Sequence, residues 1–265
     1  MNECCADDAG DSQRAELLDL YTRLAHEPGA DFGWGRGKGN ARTLGYAEAW
    51  LDRLPDEVWA SAAAVGNPFG LGPVNAGETV VDVGCGAGAD VCIAALLVGP
   101  SGTVIGVDCT PAMVDKAAVM ADSLDLKQVA IQKAEMSALP LADATAELVI
   151  SNGAINLAAD KEQVLGEIFR ILRPGGRIQI ADMVRDTGGD NAPQGEDTGS
   201  WADCVAGTLA PETFLEMIAA AGFTDAELTG LTTYRTSPTT IGALFRAGKP
   251  RQARSLKAGR GGSQP

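Results

Sequence analysis

The sequence predicts an α/β fold, in which a doubly wound, seven-stranded, mostly parallel sheet follows an N-terminal helical cover. From Thr79 onward, short β-branched runs alternate with segments of helical periodicity, which is typical of a parallel sheet with helices on both faces. Three alternating glycines, Gly84, Gly86 and Gly88, follow the first of these runs. Such a turn lets the backbone bend sharply and approach a ligand at the edge of the sheet.

The strands and helices of the sheet region are assigned from these periodicities. Strands are predicted at 79–83, 103–107, 129–132, 147–151 and 177–181, and helices at 90–98, 111–124 and 160–172. A helix at 211–221 and two closing strands, at about 226–232 and 241–246, complete the predicted sheet.

The N-terminal part is predicted to be helical, with one irregular segment. Residues 15–24 have apolar side chains at helical spacing, and 46–54 and 55–65 resemble two further short helices. Residues 29–39 contain five glycines and are predicted to form a loop. We therefore divide the chain into a helical cover with a Gly-rich loop (1–75), a ligand-binding domain (76–246) and a flexible basic tail (247–265).

Composition and charge exclude several classes of protein. Of 265 residues, 45% are hydrophobic and 21% are charged, which is ordinary globular usage. The net charge of −14 argues against a nucleic-acid partner for the folded domain, although the last twenty residues hold six basic and no acidic residues. An acidic N-terminus, short apolar runs and six scattered cysteines predict a soluble cytoplasmic protein without a membrane span or a disulfide framework.

Two acidic residues accompany the glycine turn. Asp82 lies one residue before the end of the first strand, at the edge where open α/β sheets bind ligands. Asp108 ends the second strand, twenty residues after Gly88, where a carboxylate can accept the hydroxyls of a ribose. This pattern alone fits either a nicotinamide dinucleotide or another adenosine ligand. An acid at Asp82 disfavours a pyrophosphate and favours a ligand with ammonium and sulfonium charges.

The motifs VVDVGCGAG, VIGVDCTPAMVDKA, SALPLADATAELVISN and ILRPGG, in this order and spacing, resemble class I S-adenosylmethionine-dependent methyltransferases with a Rossmann-like fold. The resemblance covers residues 76–246 and implies S-adenosylmethionine as cofactor. It implies that residues 84–88 contact the methionine part, Asp108 the ribose, Glu135 and Met136 the adenine, and Ser151 and Asn152 the methionyl end. The residues assigned to the cofactor are Asp82, Gly84, Cys85, Gly86, Gly88, Asp108, Cys109, Glu135, Met136, Ser151 and Asn152; no metal site is predicted.

The flanking segments resemble the arsenite methyltransferase family more narrowly. They are LGYAEAWLDRLP, VGNPFGLGPVNAGE, SNGAINLAADKEQVL and WADCVAGTLAPETF, together with the doubled Cys4-Cys5. In that family three cysteine thiolates hold trivalent arsenic, a soft ion that prefers sulfur. Here Val65 and Gly153 occupy two of these positions, and Cys204 occupies the third. The chain therefore resembles this family in sequence, but it lacks two of the three cysteines of the family's substrate site.

The acceptor is predicted to be a small molecule, preferably one with a soft nucleophile, which is a metalloid, thiol or selenol. No general base is evident, since His26 is the sole histidine, and a carboxylate or another easily ionised acceptor fits this lack equally well. Candidate substrate contacts are Cys204 and Asn156, and Trp34 in the Gly-rich loop is a candidate lid. A C-, O- or N-methyltransferase of a small metabolite, an NAD-dependent oxidoreductase and a cofactor-binding regulator without catalysis are the alternatives.

Overall fold

A computed structural model describes residues 5–187 and 207–251, with side chains from residue 12 onward. Seven strands form one sheet: β1 Thr79–Val83, β2 Thr103–Asp108, β3 Val129–Lys133, β4 Ala146–Asn152, β5 Leu172–Arg185, β6 Thr224–Leu231 and β7 Thr240–Gly248. The strand order is β3-β2-β1-β4-β5-β7-β6. The first five strands are parallel, and β7 is antiparallel to both β5 and β6. The predicted fold class is confirmed.

This order places a topological switch between β1 and β4. The chain runs outward from β1 through β2 to β3, then returns to pair β4 on the other side of β1. The loops that follow β1 and β4 therefore diverge at the carboxyl edge and leave a crevice there, which is the usual ligand position in open α/β sheets.

Eight α-helices accompany the sheet in the described residues: α1 Cys5–His26, α2 Gly37–Thr43, α3 Glu48–Arg53, α4 Asp56–Ala60, α5 Ala89–Val98, α6 Pro111–Ser123, α7 Lys161–Ile171 and α8 Pro211–Ala220. Proline at the first position opens α6 and α8, where its missing N–H costs no hydrogen bond. Asp160 caps α7 by accepting from the Gln163 N–H at 2.8 Å. No helix within the described ranges is long and apolar enough to cross a membrane.

The helices bury the two faces of the sheet in separate clusters. On one face, α7 and α8 contribute Leu165, Ile168 and Ile218, all fully buried. On the other face, α5 is almost wholly buried because it lies between the sheet and the N-terminal helices. These N-terminal helices bury Leu51 and Trp59 against the same cluster, so the cover is part of the core.

Several element boundaries differ from the sequence prediction. Helix α1 is longer than predicted, and α2 begins at Gly37, inside the segment predicted to be a loop. Helix α4 ends at Ala60, and a non-helical segment follows it up to Val65. Strand β5 begins at Leu172, five residues before the predicted strand at 177–181; Leu172 pairs with Ala146 of β4, and a register shift precedes the next pair, Leu148 with Arg177.

The C-terminal boundary is also corrected, because β7 continues to Gly248 and residue 249 is anchored. The Lys249 ammonium donates to the carbonyls of Phe169 and Leu172 at 2.7 and 2.8 Å, and it lies 4.4 Å from the centre of the Phe169 ring. These carbonyls belong to the C-terminal turn of α7, where a cation is favourable. The remaining tail, residues 252–265, lies outside the described part.

Replacing Lys249 with methionine keeps the apolar stem and removes the charge. We expect Lys249→Met to lower the free energy of unfolding by about 1 kcal/mol, because two carbonyls at the end of α7 lose a charged donor. Lys127→Met is the matched control: both side chains of its ion pair with Asp125 are 80% exposed, so water screens the pair and this variant should change stability less than Lys249→Met does. Urea unfolding measures both, and equal effects would contradict the anchoring role of Lys249.

Candidate functional site

The turn after β1 is shaped by its glycines. Gly84 and Gly88 have φ of +76° and +88°, in the left-handed region that glycine tolerates best. A Cβ on Gly84 would lie 2.2 Å from the Ala154 Cβ, so only glycine fits against the loop that follows β4. A Cβ on Gly86 would meet nothing within 4 Å, because this glycine faces open space. The middle of the turn therefore forms a bare backbone wall.

Asp108 ties this turn to the end of β2. One carboxylate oxygen accepts from the Gly86 N–H at 2.9 Å, and the other accepts from the Thr110 N–H at 2.8 Å. Burial raises the pKa of Asp108, and these backbone donors partly oppose the rise. The carboxylate thus sets the position of the turn and keeps lone pairs available for a ligand hydroxyl.

Asp82 is a buried carboxyl group without a full set of partners. Its side chain is 2% exposed, and its Oδ2 has no hydrogen-bond partner among the described residues. Burial raises the pKa of Asp82 well above its usual value, and the charges of Asp90 and Asp108 raise it further. A buried acceptor of this kind is costly unless a ligand with positive charge comes close.

Asp90, in the first turn of α5, is the centre of a second polar group. The Tyr46 hydroxyl donates to Asp90 Oδ1 at 2.8 Å, and the Asn152 amide donates to Asp90 Oδ2 at 2.9 Å. Asn152 also accepts from the Val65 N–H at 3.0 Å and donates to the Gly66 carbonyl at 3.0 Å. Burial raises the pKa of Asp90 to about 6, although its two donors oppose the rise.

These groups surround one cavity of about 450 Å³ at the switch point of the sheet. Helix α1 covers one side of it with Arg14, which forms an ion pair with Glu135, and with Tyr21. Lys116 of α6 holds the end of α1 by donating to the Ala25 carbonyl at 2.9 Å. The other side is apolar and compact, formed mainly by residues 62–64, Trp59 and Leu157.

The cavity brings together most of the residues that the sequence assigned to a cofactor. Nine of them line it: Asp82, Gly84, Cys85, Gly86, Asp108, Cys109, Glu135, Met136 and Asn152. Their cofactor contacts stay predictions.

Two predicted cofactor residues lie elsewhere. Ser151 is fully buried and its hydroxyl donates to the Val83 carbonyl at 2.7 Å, because it points to the opposite face of β4 from Asn152. Gly88 packs against α6, where a Cβ would lie 3.0 Å from the Ala117 Cβ. Both residues support the turn from behind the cavity wall.

The predicted substrate contacts stay predictions, and two of these residues lie away from the lining of the cavity. Asn156 lies outside the cavity, and its backbone N–H donates to the buried Asp182 carboxylate at 3.1 Å. Trp34 packs with Val65 and Tyr234 instead of covering the cavity, so it pins the Gly-rich segment to the body. Cys204, like Cys4 and Trp201, lies outside the described residues.

The cysteine positions bear on the predicted metalloid site. Cys85 and Cys109 line the cavity, but burial raises the pKa of Cys85 well above its usual value and that of Cys109 to about 11. Both are therefore thiols and not thiolates at neutral pH. Val65 and Gly153 are neighbours, since a Cβ on Gly153 would lie 3.1 Å from Val65 Cγ1. The two positions that the resemblance assigns to cysteines are thus in contact, but neither residue carries a sulfur atom in this chain.

Sequence reasoning missed Asp90 and Tyr46. Asp90 could have been noticed as an acid two residues after Gly88, at the start of a helix whose other residues are mostly apolar. No local signal marks Tyr46, because its partner lies 44 residues away in the chain.

Comparison with known proteins identifies the family. A methyltransferase domain model matches residues 74–222. An arsenite methyltransferase of Halobacterium salinarum is 41% identical over 163 residues, which are 62% of this chain and 41% of that protein. A demethylmenaquinone methyltransferase of Lactobacillus johnsonii is 33% identical over 173 residues, 65% of this chain and 62% of that protein. This chain therefore spans less than two thirds of either relative.

A solved structure agrees. The arsenic(III) S-adenosylmethionine methyltransferase from Chlamydomonas reinhardtii superposes with a TM-score of 0.64 and 30% identity, covering 78% of this chain and 74% of that one. These matches favour a methyltransferase over an NAD-dependent oxidoreductase. The chain belongs to the methyltransferase domain family, and its sequence and fold resemble those of the arsenite methyltransferases.

Proposed function

We propose that this chain binds S-adenosylmethionine in the cavity at the switch point and transfers its methyl group to a small molecule. The observation that carries the proposal is the joint placement of a bare glycine wall, Asp82 and Asp108 on one cavity. When bound, the cofactor supplies an electrophilic methyl group on a sulfonium.

The described residues fit such a cofactor. Gly86 leaves space where a side chain would stand, so the methionine part can lie against backbone. Asp108 accepts the ribose hydroxyls with the lone pairs that its two backbone donors leave free. Asp82 attracts the ammonium group, which compensates the cost of its unpartnered oxygen. Glu135 and Met136 border the adenine side, under helix α1.

The chain would contribute mainly positioning and exclusion of water. Methyl transfer from a sulfonium is an in-line displacement, so the acceptor must lie behind the methyl group with its lone pair directed at it. A cavity of about 450 Å³ is near the lower end of the range for ligand pockets, roughly 300–1,000 Å³, so an acceptor that shares it with a nucleoside must be small. The apolar wall of residues 62–64 and Leu157 favours such a compact group.

The described residues no longer support the prediction that the acceptor is a soft nucleophile. It depended on the absence of a base, and the cavity contains Asp90. It remains a prediction supported by the substrates that the names of two relatives indicate. Assaying S-adenosylhomocysteine formation with thiols, selenols, trivalent metalloids and nitrogen or oxygen acceptors tests it, and activity confined to amines or alcohols would refute it.

The glycine wall gives a direct test of cofactor binding. Gly86→Ala places a methyl group in the cavity, so we expect the Kd for S-adenosylmethionine to rise at least about tenfold (1.4 kcal/mol). Gly33→Ala is the matched control. Gly33 also has a positive φ, of +77°, and it lies away from the cavity, where an added Cβ would meet nothing within 4 Å. Calorimetric titration measures both, and an unchanged Kd in Gly86→Ala would contradict the proposed pose. Tight NAD binding without a response to S-adenosylmethionine would reject the function itself.

A second variant tests the ammonium contact. We expect Asp82→Asn to raise the Kd for S-adenosylmethionine by about tenfold or more, because it removes the charge that attracts the ammonium. The Kd for 5′-methylthioadenosine, which has the same nucleoside but no ammonium, should change less than about threefold. Equal losses for the two ligands would show that Asp82 supports the fold of the site instead. Titration of both ligands at neutral pH decides between these outcomes.

A further inference from the structure

We propose that the acceptor is a small amine and that Asp90, held by Tyr46 and Asn152, removes its proton before methyl transfer. This inference rests on the proposed function and names the acceptor class of the same cavity. Two features support it: the charge of the cavity walls and the arrangement around Asp90.

The cavity walls are strongly acidic. The described lining residues include five carboxylates, Asp82, Asp90, Asp108, Glu135 and Asp160. Arg14 is the basic residue among the described lining side chains, and it already pairs with Glu135. Such a field attracts cations and repels anions. Asp82, Asp108 and Glu135 face the proposed cofactor, and Asp160 caps α7. Asp90 is therefore the carboxylate left for the acceptor, and it favours an ammonium group over a thiolate or another anion.

Asp90 is arranged to accept a proton inside this cavity. It is 8% exposed, and its two oxygens receive one hydrogen bond each, from Tyr46 and from Asn152. Each carboxylate oxygen has a second lone pair, so either can accept from an ammonium. Its pKa of about 6 is close to neutral pH, which suits a general base. The pKa of Tyr46 is raised well above 10 by burial and by Asp90, so Tyr46 remains a donor.

The step balances without a further reactant. The acceptor enters as a primary ammonium and gives one proton to the Asp90 carboxylate, which leaves a neutral amine. The nitrogen lone pair forms the N–C bond to the methyl group, while the C–S bond breaks and its electron pair stays on sulfur. The products are a methylated ammonium, S-adenosylhomocysteine and a protonated Asp90, which returns its proton to solvent.

Acceptor preference is tested with one carbon skeleton and three head groups. Benzylamine, benzyl alcohol and benzyl mercaptan, with arsenite plus glutathione as a fourth probe, are assayed for S-adenosylhomocysteine formation above the acceptor-free rate. We expect benzylamine to exceed the other three by at least tenfold. Turnover that favours the thiol or arsenite, or the absence of benzylamine turnover while S-adenosylmethionine still binds, would overturn the inference. Failure of S-adenosylmethionine to bind would instead overturn the proposed function with it.

The role of Asp90 is tested by its variants. Asp90→Asn should lower kcat with benzylamine by about 10²-fold or more, with a change below threefold in the Kd for S-adenosylmethionine, and Asp90→Glu should recover part of the rate. If Asp90→Asn weakens cofactor binding tenfold and spares kcat, Asp90 holds the cofactor and the inference fails. Thermal unfolding with and without cofactor identifies a variant that fails to fold.

The pH profile supplies a readout that a structural role would not change. The Asp90 carboxylate must be ionised to accept a proton, so kcat should rise with pH along an acid limb. The midpoint of this limb should lie at or below about pH 6, because the bound cationic ligands lower the pKa of Asp90 further. Among the described residues, the groups that face Asp90 are Tyr46, Asn152, the carboxyl of Asp82 and the thiol of Cys92. Tyr46→Phe removes a donor that lowers this pKa, so it should move the limb to higher pH.

Asp182→Asn is the matched control. Asp182 is a buried carboxyl with a pKa of about 6, but it lies outside the main cavity. This variant should keep the acid limb of the wild-type profile, whatever it does to stability. If the acid limb of the kcat profile moves in Asp182→Asn and stays in place in Tyr46→Phe, its assignment to Asp90 is wrong.

Discussion

The N-terminal cover and the sheet are joined at the ligand site by one buried carboxylate, Asp90. A charge that leaves water must be hydrogen-bonded, and the two donors that meet this need come from distant parts of the chain, Tyr46 and Asn152. The same Asn152 amide fixes the backbone at Val65 and Gly66. One electrostatic requirement thus fixes the segment after α4 and the end of β4 against each other, and these segments form one wall of the cavity.

The two halves of the cavity have different origins. The half proposed for the cofactor follows from the sheet, because β1 and β2 end side by side and the Gly86 N–H ties the glycine turn to the Asp108 carboxylate. The half proposed for the acceptor depends on the N-terminal cover, which supplies Trp59, residues 62–64 and Tyr46, one of the two donors of Asp90. The two halves therefore rest on different parts of the chain, and Val65 and Gly153 contact each other on the side proposed for the acceptor.

Local periodicity was a good guide to the elements between Thr79 and Gly248, because β-branched runs and helical spacing reflect nearest-neighbour geometry. It failed where tertiary pairing decides. Leu172 pairs with Ala146 of β4, residues 173–176 lie in the register shift that follows, and the Gly175 N–H donates to the Lys249 carbonyl, so partners that are distant in the chain set the conformation of this segment. Helix α1 exceeds its predicted length, and its contacts with α6 are long-range.

The sequence by itself determined the sheet architecture, the glycine turn and the acids at the strand ends, because these depend on backbone conformation within a few residues. It also determined the family, through motifs of fixed spacing. Only the tertiary structure decided which residues face the cavity: it placed Gly88, Ser151, Asn156 and Trp34 outside the lining and added Asp90 and Tyr46 to it. The reason is physical, since a buried side chain's direction is set by its hydrogen-bond partners, and Asn152 and Tyr46 are 106 residues apart in the chain.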